Sequence, residues 1–211
     1  MREIESPGLL ASLIRAAAGP IPSLREQECH SAFDAGRNGL ASFYSCFRLP
    51  ADRWAIRGMN WIGAEALADA DGFWDEWIEA KLLTVTPGTR PDADSIVDGI
   101  RMTAEAYCLR SIRFDPYHNR ELGMQMCATI NAEIVEFPGC YSRFDQPLRK
   151  FLSALLTGTI VCDDDPLLAL ATECFTVQFD SKKRMMPSKL PGGVSAAPLV
   201  AAIMAFAGYA D

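Results

Sequence analysis

Two aspartates in this sequence stand where a cation-binding pair is commonly built. Asp34 follows Phe33 in a short apolar stretch, and Asp115 closes an alternating run just before Pro116. Divalent cations such as magnesium take oxygen ligands, and phosphoryl-transfer sites commonly hold two of them about 4 Å apart. Such a site gathers carboxylates from separate elements, so isolated acids at strand ends are more informative than any local motif. Ser111 to Asp115 reads as a strand with Ile112 and Phe114 on one side and Arg113 and Asp115 on the other. Ser31 to Ala35 likewise sends Phe33 and Asp34 to opposite sides. Adjacent strands would bring both acids within reach of one ion. Asp is also a common turn residue beside Pro or Gly, and spacing alone does not choose between the two roles.

Other polar groups compete for attention. His118, three residues past Asp115, has the reach to position water or phosphate, or simply marks a helix start. Asp163, Asp164 and Asp165 precede Pro166, where carboxylates meet the free N–H groups and positive dipole of a helix N-terminus. Lys182, Lys183, Arg184 and Lys189 form the one dense basic stretch, suited to phosphates or to a solvated hairpin. Trp54, Trp61, Trp74 and Trp77 read as packing between helices and sheet. There is no Gly-rich phosphate loop ending in Gly-Lys-Ser or Gly-Lys-Thr, no nucleophile elbow and no HExxH.

The elements that must position these groups alternate between two periodicities. Leu9 to Ala18 predicts a short helix ended by Gly19-Pro20-Ile21-Pro22. Leu40 to Phe47, Glu133 to Phe137, Ile160 to Cys162 and an outer Phe175 to Phe179 read as strands. Asp71 and Asp94 are placed to cap helices, Asn119 starts another, and Pro147 suits a first helical turn ahead of Leu148, Phe151, Leu152 and Leu155. Pro166 opens a further helix, and the last runs from Pro198 to about Tyr209. Lys182 to Ala197 reads as the longest irregular region. Strands alternating with helices give an α/β domain, with helices packed on the faces of a mixed sheet.

Composition narrows the function classes. The 211 residues are 49% hydrophobic, enough to bury a core. No run approaches the roughly eighteen apolar residues of a membrane span, and the start, with Arg2, Glu3 and Glu5, makes a poor secretory signal. Seven cysteines without CxxC spacing read as reduced thiols and not as a disulfide framework. The net charge of −7 argues against a broad basic face for nucleic acid, so any grip on DNA is local or supplied by a partner.

Several stretches in order resemble the C-terminal nuclease of phage terminase large subunits, the type similar to ribonuclease H. They are Phe33-Asp34 with Leu40-Ala41; Phe47-Arg48-Leu49-Pro50; Trp77 through Leu83-Thr84-Val85-Thr86-Pro87-Gly88 with Asp94; Phe114-Asp115-Pro116-Tyr117; Pro187-Ser188-Lys189; and Ala197 through Ala205. Together they span Cys29 to Gly208, which sets off residues 1–28 as an N-terminal helical appendage and 29–211 as the nuclease-like domain. The resemblance implies a ribonuclease H-like mixed sheet and a metal-dependent endonuclease acting on double-stranded DNA during packaging. It implies Mg2+ or Mn2+ as cofactor and Asp34 and Asp115 as catalytic metal ligands. It also implies a location in the bacterial cytoplasm, away from membranes, beside a separate terminase motor, small subunit or portal.

The third ligand position of that family, an Asp before the final helix, falls on Ala197. An alanine cannot bind a cation. Cys162 replaces a common His, while Leu170 and Cys174 stand near the usual Trp and Asn. The short run from Asp34 to Pro50 leaves little room for the hairpin strands expected there, and no ATPase motif is present. These departures predict impaired cutting; the alternative is a non-catalytic packaging or interaction protein that retains the fold.

Overall fold

A computed structural model of the chain describes residues 7–36, 39–68, 74–190 and 195–209. Helix α1 (Pro7–Ala17) leads into three long strands, β1 (Glu28–Ala35), β2 (Leu40–Leu49) and β3 (Arg53–Gly63). Two short helices, α2 (Ala64–Ala68) and α3 (Trp74–Glu79), precede β4 (Leu83–Thr86) and α4 (Ala93–Ala106). Then come β5 (Cys108–Phe114), α5 (Pro116–Thr129), β6 (Glu133–Glu136), α6 (Tyr141–Leu156), β7 (Ile160–Cys162) and α7 (Pro166–Leu170). A hairpin of β8 (Phe175–Phe179) and β9 (Met185–Lys189) leads to the final helix, α8 (Ala197–Phe206).

The described strands form a seven-stranded mixed sheet in the order β4-β3-β2-β1-β5-β6, with β7 also pairing β3. β1 runs antiparallel to β2 and parallel to β5, and β2 is antiparallel to β3. The long β2–β3 pair corrects the expectation that this region leaves little room for hairpin strands. β3 hides in the sequence because Arg53, Arg57, Gly58 and Asn60 interrupt its apolar pattern. Gly58 is required there: a Cβ at this position would lie 2.3 Å from the Tyr44 ring on the neighbouring strand.

Each face of the sheet has its own core. On one, Ala32, Tyr44, Cys46 and Ile56 pack under α1, α6 and α8. On the other, Phe33, Phe43, Phe47, Trp61, Ile112 and Phe114 meet Ile96, Val97 and Ile100 of α4 and Met126 of α5. β2 is covered on both sides, so Leu40 to Phe47 is buried without alternation. Helix α8 is apolar all round and buried along its whole length, as such helices must be. Its alanines 197, 201, 202 and 205 have no exposed surface and let the helix approach β1 and β2 closely. Leu10 and Ile14 of α1 belong to the same core.

Several boundaries differ from the sequence expectations for local reasons. Asp92, not Asp94, caps α4, accepting from the Ser95 N–H at 2.9 Å. α5 starts at Pro116 with Asp115 as its cap, and Asn119 is a kink inside it. Pro147 lies within α6, because the helix begins at Tyr141, after Pro138-Gly139. β8 and β9 form a separate two-stranded sheet, so Phe175 to Phe179 is not an outer strand of the main one and Met185 to Lys189 is not irregular. The expected cap Asp71 lies outside the described residues. No described helix is long and apolar enough to cross a membrane.

Two consequences can be measured. In the β2–β3 connection Ala51 and Asp52 both have positive φ, 60° and 51°, a conformation that costs a side-chain-bearing residue roughly 1 kcal/mol or more. Ala51→Gly is therefore expected to raise the urea midpoint, by a net gain of about 0.5 kcal/mol after the added freedom of the unfolded chain. His30 is half-buried on β1, with Nδ1 2.7 Å from Ser111 Oγ; burial first, then the Arg113 charge, hold its imidazole below the ordinary histidine range. The unfolded chain then binds more protons at His30 than the folded one, so stability falls as pH drops through the ordinary histidine range. Urea titrations from pH 7.5 to 5.5 are expected to show a shallower loss for His30→Gln than for the parent chain.

Candidate functional site

Parallel pairing of β1 with β5 sets the geometry. Phe33 is opposite Phe114, the last registered pair, and the next residues are Asp34 and Asp115. Strand alternation sends both to the same face, that of Ala32 and Arg113. The topology thus brings the two acids to neighbouring strand ends.

Their side chains have different partners. Asp34 is 4% exposed, and its Oδ2 accepts from Lys189 Nζ at 2.7 Å. Asp115 is half-buried and caps α5: its Oδ1 accepts from the Tyr117 N–H at 3.0 Å. Its Oδ2 lies beside Gly139, where an added Cβ would sit only 3.2 Å away. Ala197 is the first residue of α8 and fully buried, and its N–H donates to Ser195 Oγ at 3.1 Å.

A polar row crosses three strands beside Asp34. Asp34 is registered with Ser42 on β2, and Ser42 with Asn60 on β3. Ser42 Oγ donates to the buried Asn60 Oδ1 at 2.8 Å. Sequence reasoning missed Asn60 because it missed β3. It missed Lys189 as a partner of Asp34 because 155 positions separate them.

α6 fixes the hairpin that carries Lys189. Asp145 and Arg149, one turn apart on this helix, form an ion pair at 2.8 Å. Asp145 Oδ1 also accepts from the Met185 N–H at 2.8 Å, and Arg149 Nη2 donates to the Lys183 carbonyl at 2.6 Å. At the other end the Leu190 N–H donates to the Cys174 carbonyl. Lys189 is thereby delivered to the end of β1, while Lys182 and Lys183 stay exposed at the hairpin tip.

Asp163, Asp165 and Asp180 have partners of their own. Asp163 pairs with Arg57 of β3 at 2.8 Å. Asp165 caps α7, accepting from the Leu167 and Leu168 N–H groups, and also accepts from the Tyr44 hydroxyl. Burial pushes the Asp165 carboxyl above the ordinary aspartate range, with the Tyr44 hydrogen bond opposing, and burial drives the Tyr44 phenol well up. Asp180 pairs with Arg184 inside its own turn. The His118 side chain lies outside the described residues.

These groups do not fit a two-cation centre. Among the described residues no three His, Cys, Asp or Glu side chains stand together in a way that could hold a metal ion. One acid is paired with an ammonium, the other caps a helix, and Ala197, at the start of α8, offers no ligand atom on its side chain.

No protein-family model matches the sequence, and no curated protein matches it. Solved structures do match. The chain superposes on the HK97 bacteriophage large terminase with a TM-score of 0.82 at 20% identity, covering 96% of this chain and 43% of that one. It superposes on the large terminase nuclease from thermophilic phage G20c with bound magnesium at a TM-score of 0.59 and 11% identity, covering 96% and 97% of the two chains. The same nuclease with bound cobalt gives 0.57 and 10%, with equal coverage. The chain spans less than half of the HK97 protein and nearly all of the separate G20c nuclease. At these identities the likeness establishes architecture, and the chain has the ribonuclease H-like fold of phage large-terminase nuclease domains.

Proposed function

We propose that this chain is a terminase nuclease-like protein that acts on double-stranded DNA in phage packaging, with its own metal-dependent cutting impaired. The observation that carries this reading is the placement of Asp34 and Asp115 at adjacent ends of parallel strands in this fold, with Ala197 at the head of α8. Two acids at that edge are the remnant of a site for Mg2+ or Mn2+, and the G20c nuclease of the same fold was solved with magnesium and with cobalt. With a net charge of −7, the chain grips DNA locally, through the exposed Lys182 and Lys183 of the hairpin tip. Its assembly partners in the bacterial cytoplasm are a separate terminase motor, a small subunit or a portal. The Asp34–Lys189 ion pair favours a second reading, a packaging-associated protein that keeps the fold and does no chemistry.

Cleavage of supercoiled plasmid with Mn2+ separates the two. The parent chain is expected to be nearly inert, and Ala197→Asp to nick plasmid at a rate at least tenfold higher. That gain should vanish when Asp34→Asn is added. Efficient cutting by the parent, lost in Asp115→Ala, would show an intact nuclease and overturn the impairment; silence from every folded variant would leave the binding role. Ala197 is fully buried, so a carboxylate there costs several kcal/mol unless compensated. Ala197→Asp is therefore expected to melt lower than the parent without metal and to recover with Mn2+, as read by circular dichroism. In fluorescence anisotropy, a Lys182→Glu, Lys183→Glu chain is expected to bind duplex DNA more weakly, with a flatter salt dependence. Unchanged binding would move the DNA contact elsewhere.

A further inference from the structure

A cleft of about 610 Å3 opens at the end of the sheet opposite the two aspartates. β1 and β5 run parallel, so their starts, beside this cleft, lie about 20 Å of strand from Asp34 and Asp115. Its lining comes from the segment before β1 and the C-terminal turn of α4, with Arg57 contributed by β3. Backbone bonds clasp the first two together. The Glu26 N–H donates to the Ala106 carbonyl at 3.1 Å, and the Cys108 N–H to the Gln27 carbonyl at 2.9 Å. Ile21, Leu24, Met102 and Ala106 supply apolar surface, and Met102 is 68% exposed.

The polar end of the cleft is held in place. Arg57 Nε donates to Asp163 Oδ2 at 2.8 Å, and Nη1 donates to the Tyr107 hydroxyl at 3.1 Å. Tyr107 stands edge-on to Phe47, with ring centres 4.8 Å apart. Among the described residues, Arg57 Nη2 and the Tyr107 hydroxyl proton have no acceptor. A fixed guanidinium and a phenol therefore keep donors for a ligand, which must bring an acceptor. Charge limits what that acceptor is. The lining holds two guanidiniums, Arg25 and Arg57, and one carboxylate, Glu105. Glu26 and Asp163 pair with the two arginines, so the neighbourhood is close to balanced. A DNA strand or a phosphate dianion would meet three carboxylates there. A single carboxylate fits the end of the guanidinium fork, and the apolar wall accepts the body that carries it.

We propose that this cleft binds a small monocarboxylate with an apolar body, its charged end on Arg57 and Tyr107 and its length along Ile21 and Met102. The site lies beyond the nuclease reading and draws on none of the residues of the acid edge.

The test titrates the whole isotope-labelled chain with naphthoate and, separately, with the neutral naphthamide, following amide shifts by NMR. Saturable shifts are expected at Ser23, Arg25 and Tyr107, with the amide bound roughly tenfold more weakly, the scale of one partly screened charge contact. Met102 is exposed, so changes there spare the fold. Met102→Glu should weaken naphthoate binding roughly tenfold, whereas Met102→Lys should keep or strengthen it. Arg57→Lys retains the charge and loses the fork, and should bind more weakly than the parent. The proposal is overturned by the absence of saturable shifts, by shifts centred elsewhere, or by equal binding of the amide. Equal effects of Met102→Glu and Met102→Lys overturn it as well. Displacement of naphthoate by inorganic phosphate or a short DNA duplex would overturn the monocarboxylate assignment and give the cleft to phosphate.

Discussion

Pairing of β1 with β5 in parallel carries Phe33 against Phe114 and leaves an aspartate next on each strand. Everything else at this edge answers to that placement. The two phenylalanines anchor the register, because slipping either strand by one residue would send its apolar set to the wrong face. Once the register is fixed, a buried carboxylate at Asp34 follows, and a buried carboxylate must be matched by hydrogen bonds or by a positive charge. The β8–β9 hairpin, the Asp145–Arg149 clamp on α6 and the reach of Lys189 form one continuous answer to that demand. The sheet sets the problem, and an element outside the sheet solves it.

Asp34, Asp165 and Asp115 show how the same physics gives different outcomes. Asp165 is more deeply covered than Asp34's lysine partner, yet it is stabilised by two backbone N–H groups at the start of α7 and by a phenol, with no full positive charge beside it among those contacts. Its carboxyl accordingly shifts toward the neutral form, burial being the main cause. Asp115, less buried, does ordinary capping work. One acid is therefore matched by a cation, one by a helix terminus together with a phenol, and one by a helix terminus alone.

Much of this was legible in the sequence wherever a local rule applied. Pro116 after Asp115 marked a strand end, and Pro166 after Asp165 marked a helix start. The clean apolar stripe of α6 and the all-apolar α8 identified their packing faces. What escaped was decided by tertiary partners. β3 looks like a broken pattern until β2 supplies its pairing and Tyr44 fills the space above Gly58. β9 contains Pro187 and too little apolar alternation to read as a strand, and it holds its place through α6. The Lys189 contact with Asp34 is a product of folding, and no spacing rule links the two. The reading of Ala197 as a missing ligand rests on the resemblance to a known family; composition alone passes over an alanine before a proline.

Both acids of the candidate site also have architectural duties. Asp115 satisfies the first turn of α5, a cap of the sort worth about 1 kcal/mol, and Asp34 neutralises a lysine that ties the hairpin to the sheet. Selection for a stable chain is then sufficient to preserve both aspartates whether or not they hold a cation, whereas an acid serving only a cation would have no such second support. In a lineage of such proteins, reactive side chains would be lost in order of how little else they support. Reading catalytic competence from the persistence of two familiar acids would, in that lineage, mistake scaffolding for machinery.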